Sequence, residues 1–257
     1  MDAAVHLGAL GVVTRLELAV EATYDVSQTV FEGLEWSDFF TGFEQIMASA
    51  ASVSVFTNWG PMVGQVWCKQ RTGLDPIEVA GATAASVEHH PIPDHDVANC
   101  TAQLGVAGPW HERLPHFRMG FAPSSGDEIQ SEWHVPAHDG VAAIDAVRSA
   151  ADRLSGVLMV SEIRTVAADL LLLSPQFGQE TVSLHFTWVN RPSEVTEAVS
   201  VVEQALAPFA PRAHLGKVFS NGRTGIERAR RHRFVEQCRT WDPNQVFWNQ
   251  WLGENLT

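Results

Sequence analysis

The chain reads as an α+β domain, and two observations carry that reading. In its second half, strand-like alternation and helical periodicity follow one another as strand, helix, strand, strand, helix, strand, the order of a split β-α-β unit. Within that order, three apolar runs are broken by polar side chains at alternate positions. They are Ser161-Glu162-Ile163-Arg164-Thr165, Leu184-His185-Phe186-Thr187-Trp188 and His214-Leu215-Gly216-Lys217-Val218-Phe219. On a strand, residues i and i+2 share a face, so Glu162 points with Arg164 and His185 with Thr187. A solvent-facing strand would explain one such run. Three of them describe strands converging on one polar pocket.

Composition bounds the function. The 257 residues are 45% hydrophobic and 18% charged, as in a folded domain with a sizeable core. A net charge of -13 argues against nucleic acid or an anionic membrane surface as the main partner. No apolar run reaches membrane-spanning length, and no signal-peptide pattern opens the chain. Cys68, Cys100 and Cys238 are odd in number and far apart, and read as reduced thiols in a cytoplasmic protein. Nine tryptophans accompany a single tyrosine, and Trp110, Trp133 and Trp188 lie beside polar runs. They read as core before pocket wall.

Taken in order, Leu7 to Thr14 carries Gly8 and Gly11, which allow close backbone approach to a ligand or strand; a plain turn is the simpler reading. Residues 15–33 alternate as two strands bent near Tyr24 and Asp25. Residues 36–50 form a helix with Ser37 as N-cap and Phe39, Phe43, Ile46 and Met47 as its apolar stripe. Short strands over 52–57 and 63–70 flank a Gly60-Pro61 turn, and a long ordered loop covers 71–115. Inside that loop, His89, His90, His95 and neighbouring acids resemble metal-ligand material. The prolines around Ile92 forbid the helical spacing such motifs use, so a solvated loop is expected, with no metal.

Residues 115–123 and 128–136 pattern as a strand pair, with Glu128, Gln130 and Glu132 on one face; the face reads as an exposed edge, or with Gln130 turned into the pocket. A helix follows over 140–154, then the Glu162 strand, a loop over 167–179, the His185 strand, a helix over 192–209 and the Lys217 strand. The stretch 224–239 is helical and basic, and reads as a solvated face or a contact with an acidic neighbour. An aromatic tail closes the chain.

Those polar runs suit a polyhydroxylated small molecule. Glu162 and Arg164 can hold each other and still bind hydroxyls. His185 has the intrinsic pKa to take a proton from an alcohol, and Lys217 can stabilise the resulting alkoxide. Thr187 and Gln130 add neutral donors and acceptors. No nucleophile elbow, P-loop or dinucleotide fingerprint accompanies them, so residue chemistry alone leaves the reaction open.

The ordered matches Gly8 to Thr14, Gly108 to Arg118, Gln130-Ser-Glu, Ser161 to Asp169, His185 to Trp188, Ala207-Pro-Phe209, Gly216 to Phe219 and Asp242-Pro…Phe247-Trp-Asn249 carry a resemblance. The chain resembles the cap domain of bacterial alditol oxidases, in the D-arabinono-1,4-lactone oxidase branch of the vanillyl-alcohol-oxidase-like flavoproteins. The resemblance implies a large, mostly antiparallel sheet flanked by helices. It implies FAD as cofactor and oxidation of a terminal alcohol, with oxygen reduced to peroxide. It places Gln130, Glu162, Arg164, Thr187 and Lys217 on substrate-binding positions and His185, Lys217 and Arg164 on catalytic ones. Gly8, Gly11, Val12 and Val13 fall on the end of the flavin domain. It divides the chain into a flavin-domain remnant (1–14), a cap (15–239) and a tail returning to the flavin domain (240–257). The family's Gly-rich flavin loop has no counterpart here, so the expectation is a truncated chain, inactive alone, that works with a separate flavin domain on a polyol or aldonolactone substrate. An aldonolactone oxidase and a non-catalytic polyol-binding module remain open alternatives.

Overall fold

A computed structural model describes residues 3–121 and 127–257. Its centre is one sheet built from β1 (Asp25–Glu32), β2 (Ser52–Thr57), β3 (Gln65–Arg71), β4 (Thr83–Ala84), β5 (Gly108–Pro109), β6 (Glu128–Pro136), β7 (Leu158–Val166), β8 (Thr181–Val189) and β9 (Arg212–Ala213). The spatial order is β4-β1-β3-β2-β7-β8-β6-β9, with β5 on β1, and every pairing is antiparallel. Helices α1 (Trp36–Thr41), α2 (Phe43–Met47), α3 (Gly140–Ser149) and α4 (Pro192–Leu206) belong to the same body, and α5 (Arg228–Trp241) and α6 (Gln250–Leu256) end the chain.

The segment β6-α3-β7-β8-α4-β9 sets β8 between β6 and β7, and β6 between β8 and β9. That interleaving is the split β-α-β arrangement expected from the order of elements. Alternation decides the faces. One face presents Trp133, Val135, Ile163, Val182, Leu184, Phe186 and Trp188 to Ala143, Ile144, Val147, Val195, Val199 and Leu206 of α3 and α4, a continuous buried core. Trp133 and Trp188 are core residues here, whereas Trp110 is 42% exposed. Gly140, at the start of α3, lets the helix sit against β8: a Cβ there would lie 2.5 Å from Val182 Cγ2.

The opposite face is polar. Around β1, β2 and β3 it is covered by the long loop, with Val30, Phe56, Trp67, Ile92 and Cys100 packed beneath. A third cluster joins Ala9 to Leu173, Phe234, Leu252 and Leu256, so the N-terminal turn, α5 and α6 pack together.

Five expectations need correction. Residues 15–24 form no strand: among the described residues no strand pairs with them, and Leu16, Leu18 and Val20 are 73%, 77% and 91% exposed. The expected helix over 36–50 breaks at Gly42, the costliest residue for a helix interior after proline, and its N-cap is Glu35, not Ser37. Residues 115–121 are loop, tied down by Thr101 N–H to His116 O and Arg118 N–H to Asn99 O. The turn expected after them falls on 122–126, outside the described residues. Residues 214–219 are a turn following the two-residue β9. The basic helix is not simply solvated: Arg230 is buried, donates to Leu172 O and Ser174 O, and lies over the Phe177 ring.

The histidine-rich segment is also less open than expected. His90 and Ile92 are buried, and the Ile92 N–H donates to His90 Nδ1. Among the described residues, no group of three or more His, Cys, Asp or Glu is arranged to hold a metal ion. None of their helices is long and apolar enough to cross a membrane.

Candidate functional site

The polar face converges on two buried carboxylates. Register sets Glu132 of β6 opposite His185 of β8, and His185 opposite Glu162 of β7. Glu132 is 4% exposed and fully engaged. Its Oε1 accepts from Ser183 Oγ at 2.5 Å and Arg164 Nη2 at 3.0 Å. Its Oε2 accepts from Lys217 Nζ at 2.5 Å and lies 3.3 Å from His185 Nδ1. Burial alone would raise its pKa. The charges of Arg164 and Lys217 outweigh burial and hold the carboxyl well below its usual range.

The departure at 214–219 is what delivers Lys217. His214 N–H donates to Glu132 O and Val218 N–H to Gln130 O, so the chain stays docked on β6 at two points and turns between them. A continuous strand would alternate sides; the turn brings the Lys217 ammonium over Glu132.

Glu162 is the second centre. Its Oε1 accepts from His116 Nε2 at 3.2 Å and lies 3.6 Å from Arg164 Nε, so Arg164 bridges both acids. Burial would raise this carboxyl too; the bond from His116 and the Arg164 charge hold it low. His116 stands between the edges of Phe56 and Trp67, and its Nδ1 lies 3.1 Å from Lys69 Nζ. Lys69 is 1% exposed, and burial pushes its pKa down to about 7 against the pull of Glu162.

On the far side of Glu132, burial pushes His134 down to about 4, so it is neutral near pH 7, with Nδ1 accepting from Gln176 Nε2 at 2.7 Å.

A cavity of about 160 Å³ opens above these groups, lined by Gln130, Glu162, His185, Thr187 and His116, with Phe56, Ile92 and Val160 as apolar walls. A larger surface cleft of about 490 Å³ bounded by His111, Arg113, Arg118 and Met119 shares no lining residue with it. Lys217 Nζ lies 2.7 Å from His185 Nδ1, and His185 Nε2 lies 3.2 Å from Thr187 Oγ1. An ammonium has no lone pair, so it donates to Nδ1 and leaves the imidazole proton on Nε2. Nε2–H and the ammonium together can stabilise oxygen charge, while Glu162, Thr187 and Gln130 can satisfy further hydroxyls.

The six substrate-type residues read from sequence thus share one face. Gly8, Gly11, Val12 and Val13 lie elsewhere: both glycines have positive φ, and Val12 and Val13 are 76% and 56% exposed beside the third cluster. The face-sharing of Glu128, Gln130 and Glu132 was visible in the pattern, but the exposed-edge reading is overturned at Glu132, because β6 is flanked by β8 and β9. His116, Lys69 and Ser183 were missed. Lys69 alternates with Trp67 and carried a period-two signal; His116, in a proline-flanked loop, carried none.

Fold and site together define a small-molecule pocket built on an α+β sheet, suited to a hydroxylated ligand. The family model for D-arabinono-1,4-lactone oxidase matches residues 127–255. The chain belongs to that family. Alditol oxidase from Streptomyces sp. (strain IKD472 / FERM P-14339) is 44% identical across 99% of this chain, which spans 61% of that protein. The crystal structure of a VAO-type flavoprotein from Myceliophthora thermophila C1 superposes on 89% of this chain and 47% of its own length, with a TM-score of 0.47 and 11% identity.

Proposed function

We propose that this chain is the substrate-binding part of an FAD-dependent polyol oxidase. One observation carries the reading: the His185 imidazole, with the Lys217 ammonium on its Nδ1, lines the same cavity as a hydroxyl-accepting carboxylate, threonine and glutamine. The substrate is a linear polyol such as xylitol or sorbitol. Gln130, Glu162, Arg164 and Thr187 orient its hydroxyls. His185 Nε2–H lines the cavity and donates to the terminal oxygen, with the Lys217 ammonium behind the ring on Nδ1. This arrangement supports the alkoxide-stabilising role for His185 over that of base, since a base at Nε2 would need its proton moved to Nδ1, where Lys217 donates.

FAD is the cofactor that family membership implies. When bound it supplies the hydride acceptor. Of the residues here that could meet it, Gly8, Val12 and Val13 are exposed and Ala9 is buried, and none of Gly8 to Val13 carries a charged side chain for a diphosphate. They fit one border of a flavin, not a whole dinucleotide. We therefore assign cofactor holding to a separate flavin domain, with residues 1–14 and 240–257 facing it and 15–239 forming the cap. Ala9 packs with Leu252 and Leu256 of the tail and also with Leu173 and Phe234 of the cap, so the third cluster spans their border.

The test is calorimetric titration of the 257-residue chain with xylitol, sorbitol and D-arabinono-1,4-lactone. Binding of the alditols that is lost in Glu162→Gln supports the proposal. Binding of the lactone alone would move the substrate class to aldonolactones. Binding of none would sink the polyol reading.

A further inference from the structure

Lys69 is buried and His116 half-buried beside the candidate site, where His116 reaches Glu162. Lysine is almost never fully buried unless paired. Lys69 is nevertheless 1% exposed in the middle of β3, where it donates to Leu114 O at 2.6 Å and lies 3.1 Å from His116 Nδ1. We infer that Lys69 and His116 are a positioning pair for substrate: Lys69 fixes the His116 proton on Nε2, and His116 thereby holds Glu162 by Oε1 alone. The inference rests on the polyol reading of the cavity.

The geometry runs in one direction. At pH 6, below the Lys69 pKa of about 7, the side chain is an ammonium that carries donors only, so His116 Nδ1 accepts. The proton of a neutral imidazole is then on Nε2, which lies 3.2 Å from Glu162 Oε1 and 3.4 Å from Ser54 Oγ. Burial favours the neutral ring, since it lowers the His116 pKa. Phe56 and Trp67 pack nearly perpendicular to the imidazole, with centroids at 5.2 and 5.5 Å, and confine the ring. Glu162 Oε1 is thereby occupied, with Arg164 Nε also near it. Among the described residues Oε2 accepts no hydrogen bond, and Glu162 lines the cavity. One oxygen is anchored and the other is left for a substrate hydroxyl. Without Lys69 the ring could carry its proton on Nδ1, presenting a lone pair to a carboxylate, and Glu162 would be pushed from its place.

The experiment is a long-range ¹H–¹⁵N correlation spectrum of the histidine rings, recorded on the full chain at pH 6, with His116 assigned by His116→Gln. Xylitol calorimetry runs beside it. The expected wild-type signature is the Nε2–H tautomer. Lys69→Met, which keeps the apolar stem and removes the donor, is expected to shift that signature and weaken xylitol binding about tenfold, the scale of one hydrogen bond to a charged group. An Nδ1–H tautomer in the wild type overturns the inference even if no variant folds. An unshifted signature in Lys69→Met, or a shifted one with unchanged affinity, overturns it as well. If the wild type binds no polyol, the substrate reading fails by itself, and the tautomer signature still decides whether Lys69 sets the His116 proton.

Discussion

Lys217 Nζ lies 2.5 Å from Glu132 Oε2 across 85 residues of chain, and the same ammonium lies 2.7 Å from His185 Nδ1. Through that relationship a buried acid on β6 holds the ammonium from the turn after β9 against His185, which lines the cavity from β8. Glu132 compensates Lys217 and Arg164 at once, while Ser183 satisfies its remaining acceptor.

Removing that acid leaves two cations and a histidine around an empty centre. Glu132→Gln is expected to lose about 3 kcal/mol or more of folding stability, the cost of breaking one side of a buried ion pair. Urea unfolding at pH 7 measures it. A loss below about 1 kcal/mol would show that the network is solvated and contributes little.

The buried groups give a sign to the pH dependence. His134 is lowered from 6.5 to about 4 on folding, so its contribution is complete above 6.5 and is lost as pH falls toward 4. The size is on the order of 3 kcal/mol. Glu132 and Glu162 are also depressed, so their contributions are complete above the ordinary carboxylate range and decline below it. Urea midpoints are expected to fall from pH 7 to pH 4, and less steeply in His134→Gln. Equal slopes in the two proteins would contradict the assignment to His134.

Packing on the helix face is tight enough to be felt residue by residue. Leu184, at 0% exposure between α3 and α4, is expected to cost roughly 3 kcal/mol as Leu184→Ala. The site lies on the opposite face, so xylitol affinity per folded molecule is expected to hold. A change in affinity matching the loss of stability would show that the two faces are coupled.

Leu16, Leu18 and Val20 are exposed at alternate positions of a segment that pairs with no strand among the described residues. Such a stripe favours association. Size-exclusion chromatography is expected to show self-association of the chain, reduced in Leu18→Glu. A monomer at every concentration would refute it.

How much of this could be read from sequence depended on where the information sat. The β6-α3-β7-β8-α4-β9 series was legible, because period-two and helical patterns alternate there with few interruptions, and it carried Glu162 with Arg164 and His185 with Thr187 to one face. Glu132 was legible only as a residue sharing that face with Gln130; its burial depends on β8 and β9 flanking β6, which no local pattern reports. Lys217 was grouped with these residues on a strand where the structure has a turn, since His214 and Val218 mimic strand alternation while anchoring a loop. His116 reaches Glu162 from a loop, by tertiary packing alone. Residues 15–24 have the composition of a strand and lack a neighbouring edge, and pairing rather than propensity makes a strand.

The claim that this chain binds substrate without holding the flavin by itself is tested most directly by the visible absorption spectrum of the purified 257-residue chain, taken after FAD is added and the excess removed. The expected result is a colourless protein that still binds xylitol by calorimetry. Flavin bands that persist and bleach with xylitol would contradict it, because residues of this chain alone would then hold the cofactor and carry the reaction.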